Sequence, residues 1–422
     1  MHIEKLTVKN FKCFDDLNMN FKEGVNLLLG DNGVGKSSIL DAIAVALGGY
    51  LKGTGIGTRN IGQDDIRKSI VKISDYVEAA RINGPSEISC TAIVSGECYT
   101  WTRRRKDELS SSRTGTVPNA IIKKANRLMN DESAVLPVIA YYGIGRLGKF
   151  RRAGYGRSVK SNNDRRSGYI GAVEANLDIK GMMTWCLDME RLEFKLKKQI
   201  PAYEKFKKTI NEFLSAVTGD DGHNRVFYSY DYSDLAYGSE TDALPLSLLS
   251  AGYQSIILMV MDFAYRNAKL NPTLEFNADI PGIVLIDEID MHLHPEWQWR
   301  IVPAMTKVFP AVQFIIATHS PFIISSGKCM NILQISSDHE VYETDDVYAD
   351  SVSDIVRFIQ GSSDIPKHLR DMYASFDDAI DELDFAEARK IYSEMLLTYG
   401  EDNTSVKKAR LLLDSFDGED SL

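Results

Sequence analysis

The sequence of 422 residues has little of what marks secreted or membrane proteins. Its five cysteines, Cys13, Cys90, Cys98, Cys186 and Cys329, form no CxxC pair and no metal-ligand spacing. That excludes a disulfide framework and a zinc ribbon, and reads as reduced thiols in a cytoplasmic protein. The opening Met1-His2-Ile3-Glu4-Lys5-Leu6 has no apolar stretch of the kind a secretory signal needs. The longest uncharged run, residues 243–261, contains Pro245, Gly252, Gln254 and three serines, so no membrane span is expected. There is no internal repeat and no long heptad arm.

Charge is present in quantity but unevenly. The net charge is −10, yet residues 101–170 hold 16 Lys/Arg against 5 Asp/Glu, and residues 338–422 hold 8 against 22. An acidic protein with one basic segment can bind a polyanion locally, although solvated surfaces explain both stretches equally well. Hydrophobic residues make up 44% of the chain, an ordinary globular share.

Periodicity places strands at 2–9 and 25–29, then a helix over 36–47 with Ile39, Leu40, Ile43, Ala44 and Leu47 on one face. A Gly-rich connection is expected over 48–62, short strands between about 69 and 105, a buried strand over 135–142 and a basic loop over 143–168. Tyr203, Phe206, Ile210, Phe213, Leu214 and Val217 fall at helical spacing within a helical stretch, 172–217. Residues 256–268 read as a helix, 283–286 and 312–317 as apolar strands, and 375–416 as helices broken at Gly400. Strands alternating with helices imply an α/β fold with a largely parallel sheet.

Four motifs carry chemistry. Gly30-Asp31-Asn32-Gly33-Val34-Gly35-Lys36-Ser37-Ser38 matches GxxxxGK[ST] between a strand and a helix, the context the pattern requires. Glycines allow backbone amides to close around phosphate oxygens, and the helix end adds positive potential. Lys36 suits the β- and γ-phosphates, and the Ser37 hydroxyl suits Mg²⁺. The strand 283–286 ends in Asp287, suited to the Mg²⁺ shell, and Glu288, suited to polarising an attacking water. Ser250-Ala251-Gly252-Tyr253-Gln254-Ser255 opens a helix, where the Ser250 hydroxyl and the Gly252 amide offer donors to a second phosphate. His319 follows the strand 312–317, at a sheet edge where it can donate to a γ-phosphate.

In this order the motifs resemble the ABC ATPases, in the cytosolic branch related to RecF, Rad50 and SMC proteins. Asn10-Phe11-Lys12 is similar to that branch too, and the resemblance implies that Lys12 lies near the nucleotide. It implies an ABC-ATPase head: an N-terminal lobe with the P-loop over 1–50, an inserted β and helical region over 51–242, a C-terminal lobe over 243–337 and an acidic helical tail over 338–422. ATP and Mg²⁺ would be the cofactors. Ser250, Gly252 and Gln254 would face the ATP held by a partner protomer, which implies a head-to-tail homodimer, with Asp290 at the seam. Gln63 and the turn Tyr141-Tyr142-Gly143-Ile144-Gly145-Arg146 are alternative occupants of the Q-loop position.

That turn, with Asp287-Glu288-Ile289-Asp290-Met291-His292-Leu293-His294-Pro295-Glu296-Trp297-Gln298, is also similar to a group of stand-alone bacterial ATPases. The group includes the ATPase subunit of Septu-type anti-phage systems, which acts with a separate HNH nuclease. His292 and His294 invite a metal reading, but lacking a nearby third ligand they read better as hydrogen-bonding groups of the turn.

Two functions follow as expectations. One is an ATPase whose ATP-dependent dimerisation regulates a partner nuclease in anti-phage defence, the partner docking on the acidic tail or the middle helices. The other is a RecF-like repair ATPase that binds duplex DNA through Arg103-Arg104-Arg105-Lys106 and the 143–168 loop. A nuclease with a C-terminal metal site is disfavoured, because the residues after His319 show no strand-borne acidic cluster.

Overall fold

The structure is a computed structural model. It describes residues 1–74, 77–82, 84–107, 109, 111, 113–147, 164–220, 223–229, 232, 234–239, 241–274, 280–344, 347–359 and 367–417. Contacts divide the chain into two compact units, Met1–Asp350 and Ser351–Leu422.

The first unit opens with β1 (His2–Phe11), β2 (Phe14–Asn20), β3 (Val25–Leu29) and helix α1 (Lys36–Thr54). Strands β4 (Lys68–Ser74), β5 (Val77–Ile82), β6 (Ser86–Val94), β7 (Glu97–Arg105) and β8 (Gly115–Val117) follow, then α2 (Ala120–Asn130) and β9 (Val138–Tyr142). Helices α3 (Ile179–Leu196) and α4 (Pro201–Thr218) lead to β10 (Arg225–Ser229), β11 (Asp234–Gly238) and β12 (Ala243–Pro245). The remainder runs α5 (Ala251–Leu270), β13 (Gly282–Ile286), α6 (Pro295–Val308), β14 (Val312–Ala317), α7 (Pro321–Ile324), β15 (Asn331–Ile335) and β16 (Val341–Thr344).

Six of these strands form the core sheet, in the order β16-β15-β3-β14-β13-β9. All its pairings are parallel except β15 with β16. Every residue of β3, β9, β13 and β14 is buried, which is why these strands read as apolar runs, broken only by the polar Asn26 and Gln313, rather than alternating ones. The register pairs Val284 with Phe314 and Ile316 with Leu27, so the ends of β13, β14 and β3 lie side by side. The loops that follow them therefore gather at one sheet edge. Strand β16 lies beyond residue 338 and still belongs to this sheet.

A second, antiparallel sheet has the order β2-β1-β6-β7-β8, and α1 packs against strands of both sheets. The Trp101 Nε1 of β7 donates to the Ala46 carbonyl at 2.9 Å. Here the structure corrects the sequence reading. The segment from residue 48 is not a connection; α1 continues to Thr54 and ends at Gly55, whose φ is 81°. A Cβ on Gly49 would lie 2.6 Å from Trp101 Nε1, and one on Gly53 would lie 2.2 Å from the Ile122 carbonyl oxygen. Close approach of β7 and α2 thus explains glycines that look like helix breakers.

On the other face of the core sheet, Met259, Val260 and Phe263 of α5 meet Val284, Ile286 and Phe314 around an apolar cavity of about 20 Å³. Helix α4 begins with Pro201 and buries Tyr203, Phe206, Ile210, Phe213, Leu214 and Val217, the face its spacing predicts. The unit Ser351–Leu422 contains α8 (Val352–Asp354), α9 (Lys367–Asp381), α10 (Phe385–Tyr399) and α11 (Thr404–Asp417). It has its own core, with Leu369, Phe376, Ala388, Met395 and Val406 buried. Gly400 caps α10 as expected, and a second break at Leu383 (φ 61°) separates α9 from α10.

Candidate functional site

The glycines of the P-loop are required by backbone geometry. Gly30, Gly33 and Gly35 have φ of 144°, 90° and 101°, where other residues are strained. A side chain at Gly30 would meet the Ile335 carbonyl oxygen at 2.5 Å, and one at Gly35 would meet Phe14 Cζ at 2.5 Å, whereas Gly33 faces open space. Asn32 and Ser37 are exposed, and Ser38 is half-buried and bonded to the Cys13 thiol.

Lys36 is buried at the start of α1. Its Nζ donates to the carbonyls of Gly30 (2.8 Å) and Asp31 (3.1 Å) and lies 2.6 Å from His319 Nε2. Burial lowers the lysine pKa, against the opposing pull of Glu288, Asp287, Asp31 and Asp290. The His319 pKa is also lowered, by burial first and by Lys36 second. The imidazole is therefore neutral at pH 7, and its Nε2 accepts from the ammonium. Glu288 Oε1 stands 3.7 Å from the same nitrogen.

Asp287 is buried at the end of β13, and its amide donates to the Tyr142 carbonyl at 2.8 Å. The next residue, Glu288, has φ 47°. That left-handed step ends strand alternation, which would otherwise point the two carboxylates to opposite faces. Asp290 accepts a hydrogen bond from the Thr318 hydroxyl, immediately before His319. Gln298 reinforces the turn, donating to the Leu293 carbonyl at 2.9 Å and accepting from the Ser320 hydroxyl. His294 caps α6, its Nδ1 accepting from the Glu296 amide at 3.3 Å, and His292 adopts φ 68°. Among the described residues no group of three or more His, Cys, Asp or Glu is placed to hold a metal ion.

Ser250 stands at the N-cap of α5, but its hydroxyl makes no capping bond and the residue is exposed. The helix start is closed instead by Gln254, whose Nε2 donates to the carbonyls of Ser247 (3.3 Å) and Leu249 (2.8 Å). A Cβ on Gly252 would lie 2.5 Å from the His292 carbonyl oxygen, and the Tyr253 ring meets Trp297 edge-on at 4.4 Å. This turn is thus built against the Asp290–Trp297 region, while the P-loop is built against Phe14, Ile335 and His319.

Lys12 sits in a different setting. Its ammonium pairs with Asp41 on α1 and, at 3.8 Å, with Asp65. Asp41 also takes Arg59 at 2.8 Å and the Tyr141 hydroxyl at 3.0 Å. Burial raises the Tyr141 pKa, with Asp41 and Asp287 adding to it, which ties this cluster electrostatically to the end of β13. For the Q-loop position, β9 pairs with β13 and ends beside Asp287, whereas Gln63 is exposed in the segment before Ile66 bridges to Phe11.

The basic run of β7 departs from the sequence expectation. Arg103 is fully buried, donating to the Thr116 hydroxyl (3.1 Å), the Arg59 carbonyl (3.0 Å) and Asn60 Oδ1 (2.6 Å), and burial lowers its pKa to about 10. Arg105 donates to the carbonyls of Asp107, Ile61 and Leu109. Only Arg104 and Lys106 of the run are exposed, and Arg104 pairs with Glu87 at 3.0 Å. Strand alternation places Arg103 and Arg105 on the face of buried Trp101, so they brace the fold and cannot track an external phosphate. Residues 148–163 of the proposed basic loop lie outside the described residues.

Sequence reading missed a buried network on α5. Arg266 Nε donates to Asp262 at 2.7 Å, and its NH1 to the carbonyls of Gly168 (3.0 Å) and Ile170 (2.9 Å). The Tyr142 hydroxyl reaches the same Asp262 oxygen at 3.1 Å. The signal was available: an Asp and an Arg four apart inside an otherwise apolar helix.

Comparison with known proteins adds to this geometry. A family model described as an AAA domain matches residues 5–218, and a second AAA-domain model matches residues 189–325. The chain is 24% identical to the Retron Vc95 probable ATPase of Vibrio cholerae, over 77% of this chain and 72% of that protein. It is 28% identical to the Septu protein PtuA of Bacillus mycoides, over 81% of this chain but only 42% of that relative. In fold it is similar to an Smc head solved bound to the C-winged helix domain of ScpA, with TM-score 0.52, 16% identity, and coverage of 82% of this chain and 98% of that one. Half of the chain falls within one family model, and the chain therefore belongs to the AAA-domain family, as an ABC-type ATPase of the RecF, Rad50 and SMC branch that resembles Septu PtuA.

Proposed function

We propose that this ATPase encloses ATP between two copies of the chain, and that the closing and opening of the pair regulates a partner nuclease in anti-phage defence. The observation that supports the reading is that two groups of residues suited to phosphate pack against different partners within one chain. The P-loop stands with His319 at the core sheet edge, and exposed Ser250 stands on a turn packed against His292 and Trp297. A head-to-tail pair would bring each Ser250 turn over the partner's P-loop.

In this reading Lys36 exchanges its bonds to Gly30, Asp31 and His319 for the β- and γ-phosphates, which satisfy an ammonium better than neutral carbonyls do. Glu288 orients and polarises the attacking water, and His319, released from Lys36, donates to the γ-phosphate. The Ser37 hydroxyl and the Asp287 carboxylate are hard oxygen donors on adjoining loops, a set that fits magnesium, which when bound would offset phosphate charge. Gly30, Asn32, Gly33, Gly35 and Ser38 shape the phosphate cradle, and Gly252 and Gln254 hold the Ser250 turn. Asp290 lies at the seam, and Lys12 supports the site through Asp41 on α1. Loss of the γ-phosphate removes charge-assisted bonds across the seam and lets it open. The partner, an HNH-type nuclease by resemblance, would dock on the acidic helices of the tail; co-purification that survives deletion of residues 351–422, which leaves β16 in the core sheet, would exclude that surface.

A mixing experiment tests the shared site. Lys36→Ala and Ser250→Arg are each expected to abolish turnover when alone. In a mixed pair one of the two sites has both an intact P-loop and an intact Ser250, so turnover should recover in part. Full activity of Ser250→Arg alone, or no recovery on mixing, refutes the composite site.

A further inference from the structure

The end of α1 remote from the P-loop borders a cleft of about 360 Å³, within the size range of small-ligand sites. Three cations from three elements line it: Lys52 from the last turn of α1, Lys123 from the first turn of α2, and Arg166 from the turn Arg165–Tyr169. No carboxylate is among its lining residues. Lys52 and Lys123 form no ion pair among the described residues, and the nearest acid to Arg166 is Asp164, at 3.8 Å with both side chains largely open to solvent.

Helix stability does not account for this gathering. Lys52 suits the negative end of α1, but carbonyls there already have donors: the Thr54 hydroxyl takes Leu51 O at 2.7 Å and Asn126 Nδ2 takes Gly53 O at 3.4 Å. Lys123 occupies the first turn of α2, where a cation opposes the helix dipole. That turn contains no acid, and the side chain of Asn119, its N-cap, makes no capping bond. An adverse lysine and two further cations around one cleft, with no carboxylate in its lining to neutralise them, are explained by an anion that occupies it. We propose that the cleft is a phosphate site apart from the P-loop and the Ser250 turn, taking the phosphate group of a nucleotide-class ligand, either a free nucleotide or the end of a single nucleic-acid strand.

The test uses full-length protein carrying Lys36→Ala, so that the P-loop does not compete. Its probes are a fluorescent AMP analogue and a fluorescein-labelled deoxythymidine dodecamer with or without a 5′-phosphate. At least one phosphorylated probe should bind, and adding Lys52→Glu with Lys123→Glu should weaken that binding ten-fold or more. Loss of two phosphate contacts from the strand should also flatten log affinity against log salt by about 1.4. Binding of AMP identifies a free nucleotide; preference for the phosphorylated strand without AMP binding identifies a strand end. Arg166→Gln provides a second variant of milder change and should act in the same direction. If neither phosphorylated probe binds, or the dodecamer binds equally without its phosphate and AMP not at all, the proposal fails. Unchanged affinity in both variants overturns it as well.

Discussion

The ammonium of Lys36 and the imidazole of His319 are in direct contact, Nζ to Nε2 at 2.6 Å, although Lys36 opens the helix after β3 and His319 follows β14. Burial lowers the His319 pKa most, and the lysine adds to it. A histidine depressed in this way is neutral at pH 7. It disfavours the folded state as the pH falls below the ordinary value of 6.5, because the unfolded chain then takes up the proton more readily. Lys36→Ala removes one cause and leaves burial. The His319 midpoint, followed by NMR titration, should therefore move upward towards 6.5. A midpoint that stayed in place or fell would show that the contact does not govern the histidine.

Glu288 and Lys36 should fail in different ways. Glu288→Gln keeps the shape of the loop but cannot polarise water, so turnover should drop by roughly 10²- to 10⁴-fold with ATP still bound. Size analysis with ATP should show a longer-lived pair of chains than the wild type forms. Lys36→Ala should lose nucleotide binding itself, measured with a fluorescent ATP analogue. Wild-type turnover in both variants would remove the site from this sheet edge.

Two positions on the Ser250 turn separate structure from function. Gly252 cannot carry a Cβ without pressing on the His292 carbonyl 2.5 Å away, so Gly252→Ala should cost about 1–3 kcal/mol in urea unfolding. Ser250 is exposed and makes no capping bond, so Ser250→Ala should change stability by less than about 0.5 kcal/mol. Its ATP turnover should nevertheless fall. A Ser250→Ala variant that is as active as the wild type would leave the turn as a plain helix start.

Much of this architecture was legible in the sequence because the central parallel strands are predominantly apolar rather than alternating, and β3, β13 and β14 are each followed by a motif. What was misread involved packing at a distance. Gly48, Gly49 and Gly53 look like a linker until Arg59, Trp101 and Ile122 respectively are seen against them. Arg103 and Arg105 look like a basic surface until strand alternation puts them beside Trp101, with the backbone carbonyls of Arg59, Ile61, Asp107 and Leu109 among their acceptors. Local composition cannot report the acceptors at Arg59 and Ile61, which lie 44 residues from the arginines they bond. The contact between Lys36 and His319 was similarly out of reach; the motifs placed both near phosphate, and only the strand order β3-β14-β13 places them against each other.

The pair Asp262–Arg266 should matter more than its chemistry at the surface would suggest. Both side chains are nearly inaccessible to solvent, at 3% and 5% exposure, and Tyr142 shares the Asp262 oxygen that Arg266 bonds. Arg266→Met leaves a carboxylate buried with only a phenol for company, and also frees the carbonyls of Gly168 and Ile170. Stranding one member of a buried pair costs about 3–5 kcal/mol. Asp262→Leu alone should do comparable harm by leaving the guanidinium uncompensated. In the double variant neither charge remains, so the loss measured by urea unfolding should be well below the sum of the two single losses. Strict additivity would mean that the two groups do not act as a pair, and that the carbonyls of Gly168 and Ile170 are what Arg266 chiefly serves.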